Sequence, residues 1–155
     1  MSHSSNRQGR IYQLEYAQEA VKLGSMSLAV STKHGVVMGV EKRVMSSLLE
    51  PRSIEKLMEI DHSIGCCLSG LTADARTLVD HARLECQNYW FTYNEGMPIR
   101  SNVKAVATKV INFSEGSEAQ ARPFGCALLI GGFDKKNGGQ LYVVDPTGSF
   151  SRLKA

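Results

Sequence analysis

The chain has 155 residues, of which 43% are hydrophobic and 21% are charged, with a formal net charge of +3 at pH 7. This length favours one domain with a sizeable core. The charge is small and spread along the chain, and no basic cluster interleaved with aromatic residues is present, so nucleic acid is excluded as an expected partner. No apolar run is long enough to cross a bilayer, so a membrane is excluded as well.

The cysteines and histidines give no sign of a metal site or a cofactor. Cys66 and Cys67 are adjacent, and neither they nor Cys86 and Cys126 show the CxxC spacing of a zinc ribbon. The histidines lack the i to i+4 spacing of metal ligands. The first eight residues, MSHSSNRQ, are polar and unlike a signal peptide. We therefore expect reduced, mostly buried thiols, no metal, no cofactor, and a location in the cytoplasm and nucleus.

The first predicted element is an amphipathic helix over residues 10–24. Its apolar positions recur at spacings of three and four, and they are Ile11, Leu14, Ala17 or Gln18, and Val21. Gly24 is predicted to close it. Because so short a helix is marginally stable alone in water, it needs a surface on which to pack.

Two hairpins are predicted next. Apolar runs over 26–30 and 36–40 flank a turn in which Gly35 is expected to adopt a positive φ. Runs over 54–60 and 64–69 flank a second turn at 61–63, and Cys66 and Cys67 should point to opposite faces of the second run.

The period then changes to that of a helix. Thr72 is the expected N-cap of a helix of about 22 residues, and residues 95–98 should end it before a second helix opens at Ser101. Trp90, Phe91 and Tyr93 follow helical spacing, which is typical of core or subunit-interface residues more than of a ligand site.

A polar loop over 114–122 precedes three further strands, over 124–130, over 140–144 and from Ser149 onward. Grouped strands and grouped helices favour packed layers over strict alternation. We therefore expect an α+β fold in which two antiparallel sheets stack and the helix pair covers one outer side. The other outer side has no helices to cover it, so a layer is missing from this chain or supplied by a partner.

Several stretches of the chain resemble the alpha subunits of the proteasome core particle, most closely their type 5 branch. The most specific is GRIYQLEYAQEAVKLG, at residues 9–24; the others are VEKRV, EPRSIEKLMEID, SGLTADARTLVDHARLECQNYWFTYNE, RPFGCALLIGGFD and DPTGSF. The resemblance covers residues 9–150. It implies an N-terminal-nucleophile hydrolase fold, a four-layer αββα sandwich, of which this chain would lack one outer helical layer. Residues 1–8 depart from the family's tail, and residues 9–155 would form a partial alpha-type domain.

The resemblance also implies that the chain is not a catalyst. Active relatives use a residue whose free amine, exposed by cleavage after a glycine, serves as the base. The matching junction here is Gly24 and Ser25, with Lys56 at the position of the assisting lysine. Since the helix before Ser25 is one that alpha subunits retain, that amine would stay in a peptide bond, and Glu41 stands where active subunits carry Asp. An active threonine- or serine-type hydrolase remains the enzyme alternative.

Alpha subunits use the matching lysine to receive the C-terminal carboxylate of an activator tail. A lone lysine at Lys56 is otherwise a solvated side chain. The resemblance assigns Lys56, Gly24, Leu71, Gly9 and Glu15 to this pocket and to the wall beside the gate. It places Ile11, Leu14 and Tyr16 at the contact with the neighbouring subunit.

The resulting hypothesis is a structural and regulatory alpha-ring subunit that acts in ubiquitin-dependent protein degradation. Its partners would be other alpha and beta subunits and the tails of regulatory particles or activators. A truncated fragment that does not assemble is the third hypothesis, because an uncovered apolar sheet face is an aggregation liability.

Overall fold

The computed structural model describes residues 11–44, 46, 48, 50, 53–113, 122–134 and 136–153. In chain order, the elements are α1 (Tyr12–Lys22), β1 (Ser27–Thr32), β2 (Gly35–Val40), β3 (Leu57–Asp61), β4 (Ile64–Gly70), α2 (Thr72–Tyr93), α3 (Ile99–Ile111), β5 (Cys126–Asp134), β6 (Gly138–Val144) and β7 (Phe150–Arg152). The order of helices and strands is the predicted one. The first ten residues and most of the loop at 114–122 lie outside the described residues.

The strands form two antiparallel sheets. β1 and β2 make a two-stranded sheet, and the other strands make a five-stranded sheet in the order β3-β4-β5-β6-β7. The two-stranded sheet stacks on one face of the larger sheet. Helix α2 packs on β3, β4 and β5 from the opposite face, and α3 packs on β5, β6 and β7. The α+β fold with stacked sheets and one helical layer is therefore confirmed.

The core lies between the five-stranded sheet and the helix pair. Its members are apolar at alternate strand positions and at helical spacing, and the largest of them that are less than 2% exposed include Leu68, Leu78, Val103, Phe124, Leu128 and Ile130. Cys66 belongs to this core, whereas Cys67 hydrogen-bonds with Ser27 of the smaller sheet. The two adjacent cysteines thus serve opposite faces of β4, as predicted.

The outer face of the β1–β2 hairpin is apolar and open. Leu28 is 65% exposed, Val30 49% and Val37 70%. Val30 and Val37 are cross-strand partners, so these side chains form one patch. In the described part of the chain, α2 and α3 pack on the five-stranded sheet and do not cover this patch.

Several element boundaries differ from the predictions. The N-cap of α2 is Leu71, with Thr72 as the first helical residue, and α3 begins at Ile99 after Pro98. Proline suits a helix start because it has no N–H to leave unpaired there. β3 begins at Leu57, so Lys56 directly precedes the strand and does not lie in it.

The prediction for Gly35 is wrong. Positive φ occurs at Gly70, Gly138 and Gly148 among the described glycines, but not at Gly35. A side chain satisfies the turn instead. Thr32 Oγ1 donates to the Gly35 carbonyl at 2.9 Å and accepts the His34 N–H at 3.3 Å.

Helix α1 packs on β4 and β5 with a narrower buried face than predicted. Ala17, not Gln18, occupies the central buried position, while Ile11, Leu14 and Val21 are only partly buried. The helix ends at Lys22, and the Gly24 N–H donates to the Val21 carbonyl at 2.9 Å. Gly24 thus follows the helix end without the left-handed conformation of a glycine cap.

The aromatic residues at the end of α2 do not belong to the core. Trp90 is 59% exposed, Phe91 87% and Tyr93 62%. Their assignment to a subunit interface stays a prediction. None of the helices in the described part of the chain combines the length and apolarity needed to cross a bilayer.

Candidate functional site

The junction between Gly24 and Ser25 lies tightly against the end of β4. A Cβ atom at Gly24 would stand 2.3 Å from the Gly70 nitrogen and 2.7 Å from Ser69 Oγ, so only glycine fits. The Ser69 hydroxyl donates to the Ser25 carbonyl at 3.0 Å. These contacts hold the chain between α1 and β1 in one path.

Lys56 meets Ser25 at this junction. The Lys56 carbonyl accepts the Leu68 N–H at 3.1 Å, which anchors the backbone just before β3. Its Nζ donates a short hydrogen bond to Ser25 Oγ, and Ser25 is only 4% exposed. An ammonium group donates hydrogen bonds and accepts none, so this contact gives the serine hydroxyl no base.

Glu41 lies near Lys56 and forms an ion pair with Arg43. Its carboxylate accepts a hydrogen bond from Arg43 Nε at 3.1 Å and one from the Met26 N–H at 3.3 Å. The hydrogen bond from Arg43 lowers the pKa of Glu41. The hydrogen bond from the Met26 N–H and the positive charge of Lys56 lower it further. Glu41 is therefore ionised at neutral pH and engaged with the backbone and Arg43.

Leu71 lies on the other side of the same corner. Its N–H donates to the Gly125 carbonyl at 3.0 Å, and Gly70 before it has a φ of +97°, which an L side chain rarely adopts. Leu71 lines a hollow of about 280 Å³ together with Tyr16 and Ala20 of α1. This hollow lies between the first helix and the start of α2.

Arg122 also lines this hollow, and it forms an ion pair with Asp74 that the sequence did not predict. Arg122 Nη1 lies 2.6 Å from Asp74 Oδ2, and Nη2 lies 2.9 Å from Oδ1. Asp74 Oδ2 also accepts the Gly125 N–H at 2.9 Å. Burial of the Asp74 carboxyl opposes its ionisation, but the bonds from Arg122 and Gly125 outweigh burial, and the pKa of Asp74 is lowered.

No local pattern could have revealed this pair. Asp74 fits the first turn of a helix through the helix dipole alone, and Arg122 lies 48 residues further along the chain. The sequence showed only a carboxylate in the first turn of a predicted helix. That this carboxylate is buried is known from the structure.

The structure brings together part of the predicted site. Gly24 and Lys56 both contact or adjoin Ser25, and Leu71 follows Gly70, which Gly24 approaches. Glu15 is in the first turn of α1, and Gly9 lies outside the described residues. Of the predicted interface residues, Tyr16 is 70% exposed, while Ile11 and Leu14 are partly buried.

The four cysteines are free and buried. Burial, with the neighbouring thiol of Cys67, raises the pKa of Cys66 to about 12, and burial raises that of Cys86 to about 11 and that of Cys126 to about 12. Within the described part of the chain, no group of three or more His, Cys, Asp or Glu side chains could hold a metal ion.

These features define a class. The family model described as "Proteasome subunit" matches residues 21–155. With its α+β sandwich of two antiparallel sheets, the chain belongs to the proteasome subunit family.

Within that family, the chain is similar to alpha subunits. It is 50% identical over 150 residues to proteasome subunit alpha type-5 of Drosophila melanogaster, and the matched region covers 94% of this chain and 61% of that relative. It is 51% identical over 152 residues to proteasome subunit alpha type-5 of Dictyostelium discoideum, with 96% and 61% covered. It is 48% identical over 148 residues to the proteasome subunit alpha of Methanopyrus kandleri, with 95% and 58% covered. The chain thus spans about three fifths of the length of these curated relatives.

Proposed function

We propose that this chain is a non-catalytic, structural and regulatory alpha-ring subunit of the proteasome core particle. Similarity to relatives named proteasome subunit alpha supports the placement in the alpha ring. In this role the chain contributes to ring assembly, gates substrate entry and docks activators in ubiquitin-dependent degradation in the cytoplasm and nucleus. Its partners are other alpha and beta subunits and activator tails.

The observation that carries the proposal is the path of the chain before Ser25. Helix α1 packs on β4 and β5, and Gly24 fits against Gly70 with no room for a side chain. In a chain that retains this helix, the nitrogen of Ser25 is an amide. An amide nitrogen carries no basic lone pair, and a nucleophile of this type requires the free amine as its base. The Ser25 hydroxyl instead accepts a hydrogen bond from Lys56.

The same geometry supports a docking role for Lys56. An ammonium group has three donors, and Ser25 takes one of them. Within the described part of the chain, Nζ makes no other hydrogen bond, so its other donors can reach a carboxylate that enters from the side of the neighbouring subunit. Since Ser25 Oγ holds the ammonium in place, a terminal carboxylate would meet a preorganised cation. Capture of a C-terminal carboxylate is an established mode of peptide recognition.

The walls of this docking pocket come from the surrounding corner of the molecule. Gly24 and Leu71 lie beside the Ser25 junction, and Glu15 lies in the first turn of α1, which leads into it. Gly9 lies outside the described residues and is included through the resemblance to alpha subunits. Tyr16, which is 70% exposed, presents an aromatic surface to the neighbouring subunit. Ile11 and Leu14 are partly buried and complete that contact.

Co-expression with the other alpha subunits and the beta subunits tests the proposal. A tagged full-length chain should co-purify with beta subunits at the size of the core particle, and its intact mass should show residues before Ser25 still attached. A chain that begins at Ser25 would favour the hydrolase alternative. A well-expressed chain that never co-purifies with beta subunits would favour the fragment that does not assemble.

A further inference from the structure

The turn between β5 and β6 contains an asparagine that plays no part in the proposed function. Asn137 lies in this turn and is exposed to water. Gly138, the first residue of β6, follows it directly, and Asn137 is the one asparagine of the chain that precedes a glycine. The side-chain amide of such an asparagine is chemically labile when the next backbone nitrogen can reach its carbonyl carbon. The geometry of the turn decides whether that reaction occurs.

Asp134 organises the turn from the end of β5. It pairs with Gly138 across the two strands. Its Oδ1 accepts the Lys136 N–H at 3.0 Å, and its Oδ2 accepts a hydrogen bond from Asn137 Nδ2 at 2.7 Å. The bond from Lys136 and then that from Asn137 lower the pKa of Asp134, so its carboxylate is ionised at neutral pH. The turn thus uses the Asn137 amide as a donor to a charged acceptor.

Gly138 leaves the approach to the Asn137 side chain open. Its φ is +70°, and a Cβ atom built on it would meet nothing within 4 Å. Since glycine has no side chain, its backbone rotates freely enough to bring its nitrogen toward the Asn137 side chain. In other asparagine pairs, the side chain of the following residue hinders this approach. The exposed position also gives water access to both partners.

We propose that Asn137 is a site of spontaneous deamidation and that its products open the β5–β6 turn. The Gly138 nitrogen loses its proton to a base from solvent and attacks Cγ of Asn137. The bond from Cγ to Nδ2 breaks, and Nδ2 takes up a proton and leaves as ammonia. Water then opens the resulting succinimide ring at either carbonyl, which gives aspartate or isoaspartate. The chain has taken up water and released ammonia, with no change of oxidation state.

Both products remove a contact that holds the turn. A carboxylate replaces the amide that donated to Asp134 Oδ2, so two negative groups stand where one hydrogen bond joined Asn137 to Asp134. Isoaspartate also adds a methylene group to the backbone of the turn. Because the turn fixes the register of a hairpin, this insertion disturbs the pairing of Asp134 with Gly138. An enzyme that methylates isoaspartyl carboxyl groups would recognise this product.

Ageing of the wild-type, full-length chain at neutral pH tests the reaction. Samples are digested over several weeks, and the peptides are analysed by mass spectrometry and by labelling with an isoaspartyl methyltransferase. The Asn137 peptide should lose its amide and become a methyl acceptor. The internal control is Asn94, which is exposed as well but precedes Glu95 and should keep its amide. An intact Asn137 amide, or equal loss at Asn94, would overturn the proposal.

Hydrogen exchange tests the effect on the turn. Asn137→Asp reproduces one product, and Asn94→Asp adds the same charge at the end of α2. The Lys136 N–H, which Asp134 accepts in the native turn, should exchange faster in Asn137→Asp than in the wild type. It should exchange at the wild-type rate in Asn94→Asp. Unchanged exchange in Asn137→Asp, or equal acceleration in both variants, would refute opening of the turn by the new carboxylate.

Discussion

Arg122 forms a bidentate ion pair with Asp74, with Nη1 2.6 Å from Oδ2 and Nη2 2.9 Å from Oδ1. This pair links the start of α2 to the segment that leads into β5. The third bond to this carboxylate, from the Gly125 N–H, fixes the same segment through its backbone. The arrangement supports the corner that carries Leu71. Removing it should loosen both the fold and the proposed docking pocket.

Asp74→Asn should lower the free energy of unfolding by about 1 to 3 kcal/mol, because the buried Gly125 N–H and the Arg122 guanidinium both lose a charged acceptor. Urea unfolding at pH 7 measures this loss. The control is Asp80→Asn, since the pair between Asp80 and Arg83 is exposed and should contribute less than about 1 kcal/mol. A loss for Asp80→Asn equal to that for Asp74→Asn would contradict the interpretation.

The same carboxylate predicts a pH dependence. Because the pKa of Asp74 is lowered in the folded state, its contribution is present above the ordinary value of 3.8 and is lost as the pH falls through the lower folded value. The stability difference between the wild type and Asp74→Asn should therefore shrink on acidification below about pH 4. A difference that stays constant down to pH 2 would rule out this linkage.

Gly24→Ala should destabilise the chain by about 1 to 3 kcal/mol or more, since the new methyl group would meet the backbone of Gly70. Thermal unfolding followed by circular dichroism measures the change. Gly39→Ala is the matched control, because an added Cβ there meets nothing within 4 Å. That variant should be neutral or stabilising by up to about 1 kcal/mol, and the interpretation fails if both substitutions have the same effect.

Lys56→Ala should weaken the binding of activator-tail peptides to assembled core particles about tenfold or more, since a hydrogen-bonded charge is removed. Fluorescence anisotropy with a labelled tail peptide measures the affinity. A peptide with a C-terminal amide should bind equally weakly to wild-type and Lys56→Ala particles. Particles with Lys33→Ala, a substitution in an exposed turn, should bind the free-acid peptide like the wild type. Unchanged affinity in Lys56→Ala would remove this lysine from the proposed pocket.

The thiols should be unreactive in the native chain. Burial keeps the pKa of Cys66 and Cys126 at about 12 and that of Cys86 at about 11, so thiolate is scarce at pH 8. Reaction with a disulfide reagent should be about a hundredfold or more slower than in urea, where all four thiols become accessible. A thiol that reacts rapidly without denaturant would show that the core opens locally.

Part of the site was predictable from the sequence. The helical period placed an amphipathic helix before Gly24 and Ser25, while the resemblance to alpha subunits assigned Gly24 and Lys56 to a common pocket. Gly35 shows where local reasoning fails, because the Thr32 side chain satisfied a turn that glycine was expected to make possible. The Asp74 and Arg122 pair shows the same limit for contacts between distant segments.

The sequence by itself determined the kind and order of the elements, since period-2 and period-3.6 apolar patterns and the residues that interrupt them act over a few neighbours. It also determined that both faces of β4 would be buried. Only the tertiary structure decided which side chains meet, such as Lys56 with Ser25 and Arg122 with Asp74. These contacts depend on strand register and layer stacking, which bring together positions that are far apart in the chain.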